Sequence, residues 1–202
     1  MPFDKPILII GAGPVGLSLA LALSQAGIPA EVYEADAELN TQIRASTFHP
    51  KTLEMFETWG VVDEVIKHGY KVDQLQYWER APRRLIADFS YDSVSKDTPY
   101  PYRLQCPQHI ATRVLKPAVE ATQTGKVYMG HKLIDFVDHG AYVTARFKTD
   151  NGIVEREGSY IVGADGTHSV VRKQLDIGFQ GKTYEDRFLL IGSNLNTSDL
   201  LP

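Results

Sequence analysis

The sequence predicts an α/β fold that combines a parallel β-sheet with an antiparallel β-meander. Near the N-terminus, an apolar strand, a glycine-rich turn and an alanine- and leucine-rich helix follow one another. Between residues 126 and 162, four strand-like stretches are separated by turn signals. The 202 residues, 43% hydrophobic and 23% charged, have the composition of a globular protein of one or two domains.

The charge and the cysteine content exclude several classes of function. A formal net charge of −4 gives no positive surface for nucleic acid or for an anionic membrane. The single cysteine, Cys106, excludes an internal disulfide and a multi-thiolate metal site. It also suits a reducing compartment, so we expect a cytoplasmic location. The histidines form no i,i+4 pair, and we predict no metal site.

The uncharged stretch of residues 7–24 raises the alternative of a signal peptide or a membrane anchor. Residues 1–5 do not form a positively charged leader, however. Three glycines and a proline also interrupt the run where a spanning helix would be continuous. We therefore expect no membrane partner.

The first three elements form a β-turn-α-β unit. Residues 7–10 are apolar, which is typical of a strand buried on both faces. Residues 15–26 predict a buried helix that ends at Gly27. Residues 30–34 predict a second strand, and units of this kind place their two strands parallel.

The rest of the chain predicts helices first and then strands. Two helices are broken at Gly60, and Pro117 introduces a kink or an end in a third. The turn signals His139-Gly140 and Asn151-Gly152 favour an antiparallel meander. The predicted segments are a loop at 36–47, helices at 50–59 and 61–68, strands at 72–78 and 84–89, a loop at 91–101, a helix at 108–121, meander strands at 126–129, 132–138, 141–149 and 153–162, a helix at 169–174 and a strand at 188–193.

Residues 11–16, GAGPVG, match the G-x-G-x-x-G pattern between a predicted strand and a predicted helix. In such turns the first glycine, Gly11, permits a tight bend. Gly13 lets the backbone approach a pyrophosphate, and Gly16 lets the helix pack closely on the strand. The helix N-terminus offers unpaired N–H groups to the phosphates. Pro14 fits there because a first-turn residue donates no helical hydrogen bond.

Glu34 stands at the end of the second predicted strand, eighteen positions after Gly16. An acid at this point accepts hydrogen bonds from an adenosine ribose and disfavours a 2′-phosphate. The turn and the acid together predict a Rossmann-like dinucleotide site. The pattern by itself leaves both NAD and FAD open.

Four ordered motifs carry a resemblance to a known family. They are IIGAGPVGL at 9–17, RASTFHP at 44–50 with TLE at 52–54, YRLQCPQ at 102–108 and VGADGTHSVVR at 162–172. The chain resembles the N-terminal portion of the single-component FAD-dependent aromatic hydroxylases, of the para-hydroxybenzoate and phenol hydroxylase type. The resemblance implies a Rossmann-like FAD-binding fold with the beginning of a β-rich substrate domain.

The resemblance also implies a division of the chain. Residues 1–71 and 101–178 form a discontinuous FAD-binding domain. Residues 72–100 and 179–202 are expected to form part of a substrate-domain sheet that is truncated here, because members of the family are longer and carry a later Gly-Asp motif. The missing portion, or a second copy in a homodimer, is therefore an expected partner.

Cofactor contacts are implied only at matching positions. The implied set is Gly11, Gly13, Pro14 and Gly16 around the FAD pyrophosphate, Glu34 and the adjacent Ala35 at the adenosine ribose, Arg44 at the pyrophosphate or flavin, Gln108 at the FAD linker, and Asp165 with Gly166 at the ribityl–pyrophosphate region. The alternatives without a cofactor role are a solvated arginine at 44, a polar helix start at 108 and a turn aspartate at 165. Arg172 is either a phosphate partner or an exposed helix residue. Tyr77 and Trp78 face an aromatic substrate or pack on the sheet.

The implied activity is hydroxylation of an aromatic, phenol-like substrate with NAD(P)H as reductant. In the family, NAD(P)H reduces FAD, the reduced flavin takes up O₂, and a C4a-hydroperoxide delivers one oxygen atom to the ring. No catalytic acid or base is assigned within this portion. The alternatives are a non-catalytic dinucleotide-binding module or subunit and an NAD-dependent oxidoreductase.

Overall fold

The computed structural model describes residues 4–42, 45–79 and 81–187. The strands in these ranges are β1 (Ile7–Ile10), β2 (Ala30–Tyr33), β3 (Thr47–Phe48), β4 (Tyr70–Val72), β5 (Gln74–Glu79), β6 (Arg84–Ser90), β7 (Arg103–Gln105), β8 (Gly125–Tyr128), β9 (Lys132–Asp138), β10 (Val143–Thr149), β11 (Gly152–Gly158) and β12 (Tyr160–Gly163). The helices are α1 (Pro14–Gln25), α2 (Pro50–Thr58), α3 (Val62–Lys67), α4 (Gln108–Glu120) and α5 (Val170–Gln174), with a 3₁₀ turn at Tyr91–Val94.

A four-stranded parallel sheet in the order β12-β1-β2-β8 lies at the centre of the fold. In β1, Ile7 lies opposite Ala30 of β2 and Tyr160 of β12. All four residues of β1 are buried, as expected for a strand covered on both faces. The predicted β-α-β unit with parallel strands is confirmed.

The two faces of this sheet support two hydrophobic cores. Because side chains alternate along a strand, Ile7 and Ile9 point to one core and Leu8 and Ile10 to the other. The first core packs the sheet against helices α1 and α4 and against α2 and α3. The second packs it against the antiparallel sheet β11-β10-β9, with Phe147 fully buried. The predicted fold class, a parallel sheet with an antiparallel meander, is confirmed.

One strand assigned to the meander and the end of another belong to the parallel sheet instead, so that part of the prediction is wrong. Residues 126–129 correspond to β8, which pairs with β2. The predicted strand 153–162 is two strands, β11 in the meander and β12 beside β1. The chain leaves the meander at Gly158, where a Cβ would stand 2.4 Å from the Leu8 side chain. Ser159 then donates to the carbonyls of Pro6 and Lys5.

The remaining elements agree with most of the other predictions. Helices α2 and α3 are separated at Gly60, which has a φ of +72°. Helix α4 continues through Pro117 to Glu120, so the proline does not end it. Strands β5 and β6 form a separate hairpin, and β3-β7-β4 form a small antiparallel sheet. The predicted strand 188–193 lies outside the described residues.

A membrane-crossing helix is not found in the described ranges, since no helix there is both long enough and apolar enough.

Candidate functional site

A cavity of about 600 Å³ lies at the carboxyl edge of the parallel sheet. It is bounded by the segments that follow β1, β2, β8 and β12 and by the start of α4. Open α/β sheets bind ligands at this edge, and cofactor sites have volumes of roughly 300–1,000 Å³. Of the nine predicted cofactor residues that the structure describes, eight line it: Gly11, Gly13, Pro14, Glu34, Ala35, Gln108, Asp165 and Gly166.

The glycine turn owes its shape to close backbone contacts. Gly11 has a φ of +106°, and a Cβ there would stand 2.6 Å from the carbonyl oxygen of Ala164. At Gly16 a Cβ would stand 2.0 Å from the carbonyl oxygen of Gly11. Gly16 is buried and does not line the cavity, so its observed contact is between helix and turn. At Gly13, apart from the glycine itself and its two chain neighbours, no heavy atom of the described residues lies within 4 Å of a Cβ position.

The Glu34 carboxylate is tied to two backbone amides. The N–H of Ala12 donates to Oε2 at 2.7 Å, and the N–H of Asp36 donates to Oε1 at 3.1 Å. The backbone of Glu34, directly after β2, is hydrogen-bonded to the end of β8 and to the segment that follows it. Its N–H donates to the Tyr128 carbonyl at 2.9 Å, and its carbonyl accepts from His131 N–H at 2.6 Å. Since each carboxylate oxygen has two lone pairs, acceptor capacity remains for further donors.

Asp165 lines the cavity and accepts hydrogen bonds from the first residues of helix α5 and its N-cap. Its Oδ1 accepts from the hydroxyl of Ser169 at 2.5 Å, and its Oδ2 accepts from the N–H of Val170 at 2.6 Å. Ser169 in turn accepts from the N–H of Arg172 at 2.9 Å. The next residue, Gly166, has a φ of +77°, which a residue with a Cβ rarely adopts. Sequence reasoning missed Ser169, although a serine just before a helix is a typical N-cap.

The second and third motifs lie side by side. Thr47 of β3 pairs with Gln105 of β7, and the side chain of Gln105 donates to Ser46 at 2.7 Å. The N–H of Gln108 donates to the carbonyl of Ala45 at 2.9 Å, which sets the start of α4. Arg44, the other predicted residue of these motifs, lies outside the described residues.

His109, the second residue of α4, lines the cavity beside Gln108. Its Nδ1 is buried and has no hydrogen-bond partner among the described residues. The carbonyl of His109 accepts from the hydroxyl of Thr112 at 3.0 Å. Sequence reasoning did not single out His109 because nothing in a helical pattern shows where one polar side chain points.

The segment after β8 contributes cavity residues that sequence reasoning also missed, among them His131 and Lys132. They were missed because the strand before them was assigned to the meander. The Nδ1–H of His131 donates to the carbonyl of Met129 at 2.8 Å. Its ring packs against Tyr33, whose pKa is raised by burial and by a hydrogen bond to Glu31. Tyr33 is therefore a neutral phenol.

Three other candidates do not line this cavity. Arg172 donates to the carbonyl of Thr167 at 3.0 Å, and its guanidinium lies 4.6 Å from the ring centre of Phe179. Tyr77 and Trp78 lie on the hairpin β5–β6, where both are exposed. In the described ranges, no group of three or more His, Cys, Asp or Glu residues is arranged to hold a metal ion.

The groups around the cavity suit a dinucleotide. The open space at Gly13 lies at the start of α1, where the first helical N–H groups have no intrahelical partner and can bind a pyrophosphate. Glu34 offers acceptors for sugar hydroxyls next to this turn. The residues present therefore fit FAD, the group that the sequence resemblance implies.

Comparisons with known proteins agree with this fit. The family model described as "FAD binding domain" matches residues 4–201. A para-nitrophenol 4-monooxygenase from a Pseudomonas species is 27% identical over 94% of this chain and 46% of its own length. The crystal structure of p-nitrophenol 4-monooxygenase from Pseudomonas putida superposes with a TM-score of 0.84 at 26% identity, over 89% of this chain and 45% of that one.

A second solved structure is a flavin-dependent monooxygenase in complex with FAD and substrate. It superposes with a TM-score of 0.78 at 27% identity, over 88% of this chain and 33% of that one. The chain thus spans less than half the length of each of these three relatives.

Proposed function

We propose that this chain, which belongs to the FAD binding domain family, is the FAD-binding portion of an aromatic-ring monooxygenase. The cofactor of this family is FAD, and the relatives are FAD-dependent aromatic monooxygenases. The observation that carries the proposal is the meeting of the glycine turn, Glu34 and Asp165 around one cavity of about 600 Å³.

In this proposal the cavity residues divide the cofactor between them. The backbone at Gly11, Gly13 and Pro14 binds the pyrophosphate, and Gly16 keeps α1 close enough to the turn for this. Glu34 and Ala35 bind the adenosine ribose.

The remaining proposed contacts lie toward the flavin end. Gln108 binds the FAD linker, and Arg44, which lies outside the described residues, binds the pyrophosphate or the flavin side. Asp165 holds the turn at Gly166, whose backbone approaches the ribityl–pyrophosphate region. The hydrogen bonds from Ser169 and Val170 support a positioning role for Asp165, because they orient its carboxylate.

The proposed reaction transfers one atom of O₂ to a phenol-like ring with NADH or NADPH as reductant. When bound, FAD supplies the redox chemistry. The protein contributes binding, orientation and exclusion of water. Para-nitrophenol is the first substrate to test because it is named for two relatives. Cytoplasmic location is part of the proposal, since the single cysteine, Cys106, is a buried free thiol.

The hairpin β5–β6 is proposed to belong to a substrate-domain sheet formed by residues 72–100 and 179–202. Its exposed apolar side chains support this, because a hairpin with so much exposed apolar surface is typical of a surface that another part of a protein covers. The exposed set is Tyr77, Trp78, Leu85, Ile86 and Phe89.

Cofactor titration tests the first part of the proposal. FAD, NAD⁺ and ADP are titrated separately into the purified chain, with flavin fluorescence quenching and calorimetry as readouts. We expect FAD to bind more tightly than NAD⁺ and ADP. Tighter binding of NAD⁺ would instead support an NAD-dependent oxidoreductase and overturn the assignment of FAD.

Turnover tests the second part. FAD-loaded protein is mixed with NADH or NADPH and with phenol or para-nitrophenol, and O₂ uptake and hydroxylated product are measured. Phenol-stimulated NAD(P)H oxidation with product formation supports the monooxygenase. Tight FAD binding with no turnover leaves the FAD-binding assignment in place and shows that this chain by itself does not hydroxylate the two phenols.

A further inference from the structure

The segment after β8 places His131 at the cavity beside Glu34. The backbone N–H of His131 donates to the carbonyl of Glu34 at 2.6 Å. Its ring packs in the second core, with centre-to-centre distances of 5.8 Å to Tyr33, 5.6 Å to Tyr128 and 6.2 Å to Phe147. These contacts fix the backbone and the ring of His131 next to the acid that is proposed to bind the adenosine ribose.

The two ring nitrogens of His131 differ in their partners. Nδ1 lies 2.8 Å from the carbonyl oxygen of Met129, and because a carbonyl only accepts, Nδ1 carries a hydrogen. In the neutral ring Nε2 is therefore an acceptor. Among the described residues Nε2 has no hydrogen-bond partner, and it is not one of the enclosed unpaired atoms, which are Ser24 Oγ, Arg103 Nε and His109 Nδ1. His131 thus offers a solvent-accessible acceptor nitrogen on a residue that lines the cavity.

The order of the parallel sheet gives the position of this acceptor along a bound dinucleotide. The strands lie in the order β12, β1, β2, β8, and neighbouring strands are about 4.8 Å apart. The proposed contacts follow the same order, with the ribityl–pyrophosphate region after β12, the pyrophosphate after β1 and the ribose at Glu34 after β2. Beyond the ribose the next group of the cofactor is the adenine base, and the next strand is β8, which His131 follows.

We propose that His131 recognises the adenine base, with Nε2 accepting a hydrogen bond from the 6-amino group. A purine with a 6-oxo group, such as hypoxanthine or guanine, would instead present an acceptor oxygen to an acceptor nitrogen. His131 is thereby a specificity residue that favours an adenine dinucleotide over other purine dinucleotides. The inference rests on the proposed function, and it adds a base contact at a position that no matching motif assigned.

The test compares ADP with inosine diphosphate (IDP), which has a 6-oxo group in place of the 6-amino group. Dissociation constants for both nucleotides and for FAD are measured by calorimetry with the whole chain and three single variants. His131→Leu removes the ring nitrogens. His131→Gln places an amide near the position of Nε2. His68→Leu is the matched control, because His68 is exposed at the end of α3 and does not line the cavity.

We expect the wild-type chain to bind ADP about tenfold more tightly than IDP, the effect of one net hydrogen bond. His131→Leu should weaken the binding of ADP and FAD by about tenfold without weakening that of IDP, so that the preference for ADP disappears. His131→Gln should retain the affinity for ADP and bind IDP more tightly than wild type, because its amide can accept from an amino group or donate to an oxo group. His68→Leu should match wild type for all three ligands.

The ratio of the ADP and IDP constants is taken within one protein, so a variant that is less well folded loses both affinities alike and keeps the ratio. Two outcomes overturn the inference while the proposed function stands. One is equal affinity for ADP and IDP in the wild-type chain. The other is a wild-type ratio in His131→Leu, which would make His131 a structural residue. Failure of the wild-type chain to bind FAD would instead overturn the proposed function, and this inference with it.

Discussion

The backbone N–H of Ala12 donates a hydrogen bond of 2.7 Å to the carboxylate of Glu34. The bond joins the glycine turn after β1 to the end of β2, 22 residues further along the chain. The acid proposed to bind the ribose thus also holds the turn proposed to bind the pyrophosphate. The two subsites are coupled through one side chain before a cofactor arrives.

The first prediction follows from this bond. Glu34→Ala should speed hydrogen exchange at the Ala12 amide in the cofactor-free chain, because the amide loses its acceptor. It should also weaken FAD binding by about 10- to 100-fold, the effect of a hydrogen bond to a charged group. Exchange is measured by NMR and affinity by fluorescence titration. Glu38→Ala, an exposed acid of the same loop, is the control for charge and should change neither value. Unchanged exchange at Ala12 in Glu34→Ala would show that the bond is not formed in solution.

The second prediction separates two glycines of one motif. In Gly16→Ala the new Cβ would stand 2.0 Å from the Gly11 carbonyl oxygen, so the turn and α1 must move apart. We expect a loss of about 3 kcal/mol in the free energy of unfolding. In Gly13→Ala the new Cβ meets no heavy atom of the described residues within 4 Å beyond its chain neighbours, and stability should change by less than about 1 kcal/mol.

Gly13→Ala should nevertheless weaken FAD binding, because its methyl group occupies the space proposed for the pyrophosphate. Urea unfolding and FAD titration of both variants provide the measurements. Equal stability losses in the two variants would contradict the packing difference between the two positions.

The third prediction concerns the cap of α5. Asp165→Ala removes the acceptor of the Ser169 hydroxyl and of the Val170 N–H. We expect a loss of about 1–2 kcal/mol in unfolding free energy, because two hydrogen bonds to the carboxylate are lost, and faster exchange at the Val170 amide. Asp165→Asn retains a carbonyl acceptor and should lose less. An Asp165→Ala variant with wild-type exchange at Val170 would contradict the capping role.

The fourth prediction is a pH dependence in the meander. Asp135 of β9 and Arg146 of β10 lie directly opposite each other and form an ion pair. Hydrogen bonds from Arg146 lower the pKa of Asp135 below its usual value. Because the folded pKa lies below the unfolded one, the pair stabilises the fold above the unfolded pKa of about 3.9. This stabilisation is lost as pH falls through the folded pKa.

A double-mutant cycle measures this effect. Unfolding free energies of wild type, Asp135→Asn, Arg146→Gln and the double variant are compared from pH 7 down to about pH 3. We expect a favourable coupling energy at pH 7 that declines at the acid end of the range. A coupling energy that is independent of pH, or that grows on acidification, would contradict the assigned direction of the pKa shift.

Local patterns in the sequence were sufficient for the β-α-β unit and for most of the cavity wall. The apolar run at β1, the glycine turn and Glu34 are each recognised from a few neighbouring residues. In the structure β1 is buried, and the turn and Glu34 lie at one cavity. The same holds for Gln108 at the start of α4 and for the Asp165 turn before α5. Their chemistry is local, because a turn, a cap or a helix start depends on a few neighbouring residues.

Strand partners depended on the tertiary structure instead. The alternation in β8 is the same whether the strand joins the meander or the parallel sheet. Gly125 permits the second arrangement, because a Cβ there would stand 2.7 Å from the Ser24 hydroxyl of α1. That approach brings the segment after β8 to the cavity, and His131 and Lys132 with it. The unsatisfied Nδ1 of His109 likewise became visible only in the fold.

The sequence by itself thus determined the fold class and the position of the glycine turn between β1 and α1, because these follow from short-range periodicity and backbone conformation. The tertiary structure alone decided which strands pair and which additional side chains face the cavity. Pairing and burial are set by contacts between segments far apart in the chain, and a local pattern is compatible with more than one such set of contacts.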